Sequence, residues 1–303
     1  MKELRFDGQV AIITGAARGI GFAHAKLLGS RGAKIVINDI AGAVEAVEKL
    51  KAMDIEAVAD ENNSVEMQGA KNIIDTAIKN FGRIDILINN AGVNNALLID
   101  EESEDKFDFI MKVNTYGTRN MCKAAFEYMK NQGYGRIINT TSNAAMYGAG
   151  NLFAYSASKG AVYSMTRSLA LAAEPYGIKV NAIAPAAATI MALQESGFMV
   201  TDPEILKQTE QAMPTEAISP IVAILANEEC PVTGKIFETC AGRVNEIFVG
   251  TTMGYYDPTF TTETYFEHFD DIRSQEDYAV VNDMMSANAL MEVAIKRQYS
   301  KQQ

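Results

Sequence analysis

The chain has 303 residues, 48% of them hydrophobic, with 27 Lys and Arg against 38 Asp and Glu, a formal charge of -11 and only two histidines. That length and apolar content suffice for a substantial core, in one large α/β domain or two small ones. The acidic balance, with no basic patch to offset it, argues against nucleic acid or a membrane as the partner and favours a small-molecule enzyme.

In chain order, Met1 to Gly8 has no apolar signal region, and no stretch approaches eighteen uninterrupted apolar residues, so the expected compartment is the cytoplasm. Val10 to Ile13 reads as a first strand and runs into Thr14-Gly15-Ala16-Ala17-Arg18-Gly19-Ile20-Gly21, followed by helical spacing over 20–31. A glycine turn between a strand and a helix suits a pyrophosphate. Gly15 permits the turn, while Gly19 and Gly21 allow close approach of backbone to phosphate and of helix to sheet. The second strand, Lys34 to Ile37, ends at Asn38-Asp39. A carboxylate there either accepts bonds from an adenosine ribose, favouring NAD over NADP by repelling a 2′-phosphate, or merely forms a turn. Arg18 is the contrary sign, as a guanidinium able to reach such a phosphate.

Helical patterns follow over 42–53 and 66–81, then a strand over Ile84 to Ile88 with Asn89-Asn90-Ala91-Gly92 behind it, where an open α/β sheet binds ligands. The pattern over 103–130 contains Asn114, by itself a surface or capping amide. Strands at 135–138 and 178–183 flank a helix over 155–176, and three odd cysteines, Cys122, Cys230 and Cys240, have no ligand spacing and are expected as reduced thiols. Alternating apolar strands and helices predict a doubly wound parallel sheet, Rossmann-type, over 1–250. The stretch 190–214 reads either as ordinary packing or as a lid, and 251–303 as a C-terminal helical extension, with helix over 276–297, packed on the domain or on a partner subunit.

Tyr155 and Lys159, four apart on one helix, share a face, and Ser142 lies thirteen residues before the tyrosine. A neighbouring cation favours a phenolate, so the pair is suited to moving a proton. His24 and His268 are far from it in sequence and read as structural.

Taken together, Thr14 to Gly21, Asn89 to Gly92, Asn114, Ser142, Tyr155 and Lys159 resemble the short-chain dehydrogenase/reductase family over about residues 6 to 240. The resemblance implies one Rossmann-type domain with a seven-stranded parallel sheet, assembled as a homodimer or homotetramer. It implies Tyr155 as acid-base, Ser142 on the substrate oxygen, Lys159 lowering the tyrosine pKa and binding the nicotinamide ribose, and Asn114 holding a water of the proton relay. The cofactor, NAD rather than NADP, is expected against Gly15, Arg18, Gly19, Ile20, Gly21, Asp39, Asn63, Ser64, Asn90, Ala91, Gly92, Tyr155, Lys159, Pro185 and Thr189, with no metal. Two departures from the family pattern are Ala186, where a glycine is common after the proline, and Asn63, where an aspartate is common.

A narrower similarity, carried by Val36 to Asp39, Tyr134 to Ile138, Ile183 to Pro185, Ile221 to Cys230 and Gly234 to Glu238, is to (3R)-hydroxyacyl-CoA dehydrogenases of peroxisomal multifunctional enzymes. It implies an apolar alcohol or ketone substrate such as a 3-hydroxyacyl-CoA or 3-oxoacyl-CoA. The alternatives are a hydroxysteroid or other bulky ring alcohol, and a dinucleotide-binding interaction protein without catalysis. Against acyl-CoA stands the scarcity of cations in the lid segment, which has Lys207 alone.

Overall fold

The computed structural model describes residues 3–188, 202–257, 259 and 261–290, and the chain divides into two compact units, Met1–Glu246 and Ile247–Gln303. Thr189, the stretch 190–201, Phe260 and the end of the chain from 291, all of which carry expectations from the sequence, lie outside the described residues.

The first unit alternates strand and helix: β1 Val10–Thr14, α1 Gly19–Ser30, β2 Lys34–Asn38, α2 Ala43–Lys51, β3 Ala57–Asp60, α3 Met67–Phe81, β4 Ile86–Asn89, α4 Glu104–Ile110, α5 Thr118–Gln132, β5 Gly135–Thr140, α6 Ala144–Tyr147, α7 Phe153–Ala173, β6 Ile178–Ala186, α8 Pro203–Ala212, α9 Ser219–Ala226, β7 Ile236–Cys240 and β8 Arg243–Ile247. The sheet order is β3-β2-β1-β4-β5-β6-β7-β8, so the winding reverses between β1 and β4. Ligands of doubly wound sheets bind in the crevice at such a reversal, beyond the carboxyl ends of the strands.

Each strand feeds two cores at once, because side chains alternate between faces. In β1, Ala11 and Ile13 join Leu28, Leu50 and Leu225 on one face, while Val10 and Ile12 join Ile73, Ile74 and Met121 on the other. All five residues of β1 are buried, which is why the strand reads as an uninterrupted apolar run.

Seven strands form the expected parallel set, and β8 is an addition at the edge. Only two residues, Ala241 at φ 48° and Gly242 at φ 83°, separate β7 from β8. Positive φ at both positions of a two-residue connection is the backbone of a tight hairpin, so β8 runs antiparallel to β7. Ala186, for its part, continues β6 and pairs with Cys240; among the described residues only Asp54 and Ala241 are non-glycine residues at positive φ. Alanine is therefore accommodated after Pro185 without positive φ.

The second unit pairs β9 Gly250–Thr252 with β10 Tyr278–Val280, antiparallel, around the short helices α10 Thr262–Glu267 and α11 Phe269–Arg273. Helix does not span 276–297 throughout: residues 278–280 are strand and helix resumes at 284–290. His268 stacks on Tyr255 at 4.0 Å and its Nδ1 lies 2.8 Å from Asp271.

Candidate active site

The glycine turn is built by steric necessity at two positions and by backbone sign at a third. A Cβ on Gly15 would stand 2.7 Å from Ala91 Cα, and one on Gly21 2.5 Å from the Gly15 carbonyl oxygen. Gly19, at φ 59°, meets nothing within 4 Å, so only its conformation demands glycine. Asn90 locks this turn to β4: its Nδ2 donates to the carbonyls of Thr14 and Gly15 at 3.0 and 2.9 Å. Thr14 returns the tie, its Oγ1 accepting from the N–H groups of Asn90 and Ala91, each at 3.1 Å.

Asp39, partly buried, accepts from the Ala17 N–H at 3.1 Å, which fixes its carboxylate against the turn, while Arg18 is exposed. α1 begins at Gly19 with no side-chain cap. Its first N–H groups therefore keep their capacity for an anion, and Asp39 stands beside them with oxygen acceptors. Gly19, the uncapped helix start and Asp39 together fit the diphosphate and a ribose of a dinucleotide. Asn63 spends its Oδ1 on the Val65 N–H at 3.0 Å, and Ser64 Oγ packs 3.2 Å from the Cβ position of Gly117. These two residues lie in the loop after β3. That loop is held by Asp60, which accepts from Asn38, Asn62 and Thr76.

The second half of the site is carried by α7. Its buried residues Ser158, Lys159, Val162, Thr166 and Ala170 recur at helical spacing, so the Tyr155 to Lys159 face points into the molecule. Lys159 is 3% exposed, and its Nζ donates to the Thr140 carbonyl at 2.8 Å while lying 5.8 Å from the centre of the Tyr155 ring. Ser142, 7% exposed, accepts from the Ala144 N–H at 3.2 Å.

Burial pushes the Tyr155 phenol above its ordinary value, opposed only in part by the nearby Ser142 side chain. Burial likewise pulls the Lys159 ammonium down to about 8. Desolvation is the largest cause of both shifts.

Asn114 lies in a π-helical segment, Met111–Gly117, between α4 and α5. Such wide turns favour functional sites because they re-aim a side chain. Fully buried, Asn114 accepts from the Val93 N–H at 2.8 Å and donates to the Val93 carbonyl and to Ser158 Oγ, each at 2.9 Å. Both amide hydrogens are thus committed, leaving one lone pair on Oδ1 and one on the main-chain carbonyl, which takes Thr118 Oγ1 at 2.8 Å, as acceptors for further bonds. Asn114 Oδ1 and Lys159 Nζ each lie 3.2 Å from the Cβ position of Gly92, which brings the β4 end, the π segment and α7 to one point.

Ser158, the Thr140 carbonyl and Val93 escaped the sequence reading. Ser158 had a signal, lying at i+3 from Tyr155, whose carbonyl its hydroxyl caps at 2.8 Å. The other two act through backbone atoms and have none. Pro185 pairs with Thr239 at the carboxyl end of β6.

A family model described as short chain dehydrogenase matches residues 9–196. The chain belongs to that family. A nicotinamide dinucleotide is the cofactor such membership implies, and the short-chain dehydrogenase site carries the enzyme's CH–OH chemistry. Peroxisomal multifunctional enzyme type 2 of Drosophila melanogaster is 34% identical over 304 residues, covering 96% of this chain and 48% of that protein, so the chain spans about half the length of that relative. An uncharacterized oxidoreductase of Thermotoga maritima is 38% identical over 218 residues, covering 71% of this chain and 86% of its own length. Among solved structures, the full-length Drosophila enzyme superposes with a TM-score of 0.81 at 28% identity, over 97% of this chain and 50% of that one. A short chain dehydrogenase from Mycobacterium avium superposes with a TM-score of 0.75 at 33% identity, over 88% of this chain and 97% of that one. Among the described residues no helix is long and apolar enough to cross a membrane.

Proposed function

We propose that this short-chain dehydrogenase interconverts a secondary alcohol and a ketone with NAD, and that its substrate is a 3-hydroxyacyl-CoA or 3-oxoacyl-CoA. The observation that carries the reaction is the placing of Tyr155 one helical turn from a buried Lys159, whose Nζ lies 5.8 Å from the phenol ring centre, with Ser142 at the end of the neighbouring strand. Ser142 and Tyr155 hold the substrate oxygen between them, and Tyr155 takes its proton in oxidation or returns it in reduction. The dinucleotide would supply or accept the hydride. Lys159 orients a ribose hydroxyl, and Asn114 keeps the π segment and α7 in register through Ser158. The choice of NAD rests on Asp39, whose carboxylate is fixed by the Ala17 N–H where a 2′-phosphate would stand.

The acyl-CoA assignment draws on the multifunctional-enzyme relatives. A second reading, a hydroxysteroid or other bulky ring alcohol, is favoured by Lys207 being the single Lys or Arg in residues 187–218. Oxidation of NADH with acetoacetyl-CoA and longer 3-oxoacyl-CoA, set beside steroid ketones, decides: turnover of the ring ketones alone overturns the acyl-CoA reading. In the same assay Asp39→Ala is expected to raise the NADP to NAD ratio of kcat/KM about tenfold, one lost charge repulsion of roughly 1.4 kcal/mol. A wild type that already prefers NADPH removes Asp39 from that role. We assign the protein to the cytoplasm and to a homodimer or homotetramer, which cell fractionation and light scattering test.

A further inference from the structure

Behind Ser142 lies a short polar chain that the reaction as described does not use. Ser142 Oγ lies 3.5 Å from Asn143 Oδ1, Asn143 Nδ2 lies 3.4 Å from Glu238 Oε1, and Glu238 Oε2 lies 3.6 Å from Arg243 Nη1. The fold makes this contact available. Phe237 packs into the core shared with α1 and α9, so its neighbour Glu238 faces the other side of β7. There Glu238 pairs in register with Ala184 of β6, near the carboxyl edge where β5 delivers Ser142. The hairpin at Ala241 and Gly242 then turns Arg243 back onto the carboxylate. Glu238 is only 16% exposed, whereas Arg243 is 74% exposed.

We infer that Glu238 is a positioning residue for the reaction at Ser142, acting through Asn143. An ionised carboxylate only accepts hydrogen bonds, so it turns the Asn143 amide nitrogen toward itself and the amide oxygen toward Ser142. The serine hydroxyl then has a donor on one side, the Ala144 N–H at 3.2 Å, and an acceptor on the other. Its rotation is restricted before a substrate arrives. At 3.5 Å the acceptor is held loosely, so the proton swings to a substrate oxygen at little cost. Arg243 contributes by keeping the carboxylate in place from the solvent side.

The inference rests on the role given to Ser142, and the test separates the two in a double-mutant cycle measured as kcat and KM with whichever ketone the enzyme turns over. Glu238→Leu is expected to lower kcat about tenfold, the net worth of one hydrogen bond, with the KM for dinucleotide unchanged. Glu238→Gln, which keeps an oxygen acceptor for Asn143, restores most of it. In a Ser142→Ala background, Glu238→Leu adds no further loss. Asn143→Ala cuts the same link at an exposed residue on which no core packing depends, and is expected to match Glu238→Leu should that variant fold poorly. An equal loss from Glu238→Leu with and without Ser142, or no loss in kcat from either cut, overturns the inference alone. Unchanged kcat in Ser142→Ala overturns the role of Ser142 and the inference with it.

Discussion

The cleft has two walls made on different principles. Around β1, α1 and the end of β2 the recognition surface is backbone: two glycines admit no Cβ, a third needs positive φ, and Asn90 and Thr14 hydrogen-bond main chain. Around α7 and the π segment it is side chain: Asn114, Ser142, Ser158 and Lys159 are all less than a tenth exposed, and Asn114, Ser158 and Lys159 bond one another or nearby carbonyls. A backbone wall fails by steric displacement, so it loses binding and stability together. A side-chain wall fails by chemistry, and turnover can vanish while the fold and the cofactor site persist.

The sharpest way to separate the walls is Tyr155→Phe. It removes the proton carrier and almost no volume, so turnover is expected to fall by about 10²- to 10⁴-fold. Dinucleotide affinity, read by fluorescence titration, stays within a factor of two or so, because the phenol's contribution is made at the reacting oxygen. Equal losses in affinity and turnover would mean that the α7 wall also builds the binding surface.

Gly21→Ala tests the other wall. Its added methyl meets the Gly15 carbonyl oxygen at 2.5 Å and Ala16 Cα at 2.9 Å, neither able to yield without moving the turn. A destabilisation of roughly 1–3 kcal/mol is expected in urea unfolding, accompanied by weaker dinucleotide binding. Gly19→Ala meets no neighbour and costs only the strain of positive φ, about 1–2 kcal/mol. A folded, tightly binding Gly21→Ala would break the comparison.

The smallest effect is predicted for His24, which anchors the back of α1. It is fully buried, lies 2.9 Å through Nδ1 from Ser219 Oγ, and burial pulls its pKa down to about 3. A depressed folded-state value means that the unfolded chain binds the proton more readily. The stability involved is complete above about pH 6.5 and is lost as pH falls from there toward about 3. Lowering pH from 7.5 to 5.5 should cost a few degrees of melting temperature, roughly one pH unit of linkage below the unfolded value. His24→Gln keeps a partner for Ser219 and should flatten that dependence; an unchanged slope would assign it to other groups.

How far the sequence disclosed this molecule divides along the same two walls. β1, β2, β4, β5 and β6 announced themselves because strands buried on both faces are continuous apolar runs. β3, only Ala57–Asp60 and half alanine, carried too little apolar signal to be seen. β8 is exposed or half-buried throughout at an edge, and nothing in Arg-Val-Asn-Glu-Ile marks it as sheet until the hairpin before it is known. The glycine turn was readable because backbone requirements are written as glycines at fixed spacing. On the other wall, Tyr155 and Lys159 were readable as a helical pair. The acceptor that holds Lys159 is a carbonyl nineteen residues away, and the direction of the Tyr155 shift depends on burial, which no spacing encodes.

The wide turn at Met111–Gly117 has a consequence for how this protein can change. A π turn is a helix holding one residue more than its neighbours, so Asn114 faces Val93 and Ser158 because of a count as much as an identity. Removing one residue other than Asn114 from that segment would let it close to ordinary helix, in which each residue turns by about 100°. Every chemical group of the site would survive such a deletion, yet Asn114 would no longer be aimed at Val93 and Ser158. Length in this stretch is therefore under the same constraint as composition, and drift here must proceed by replacement.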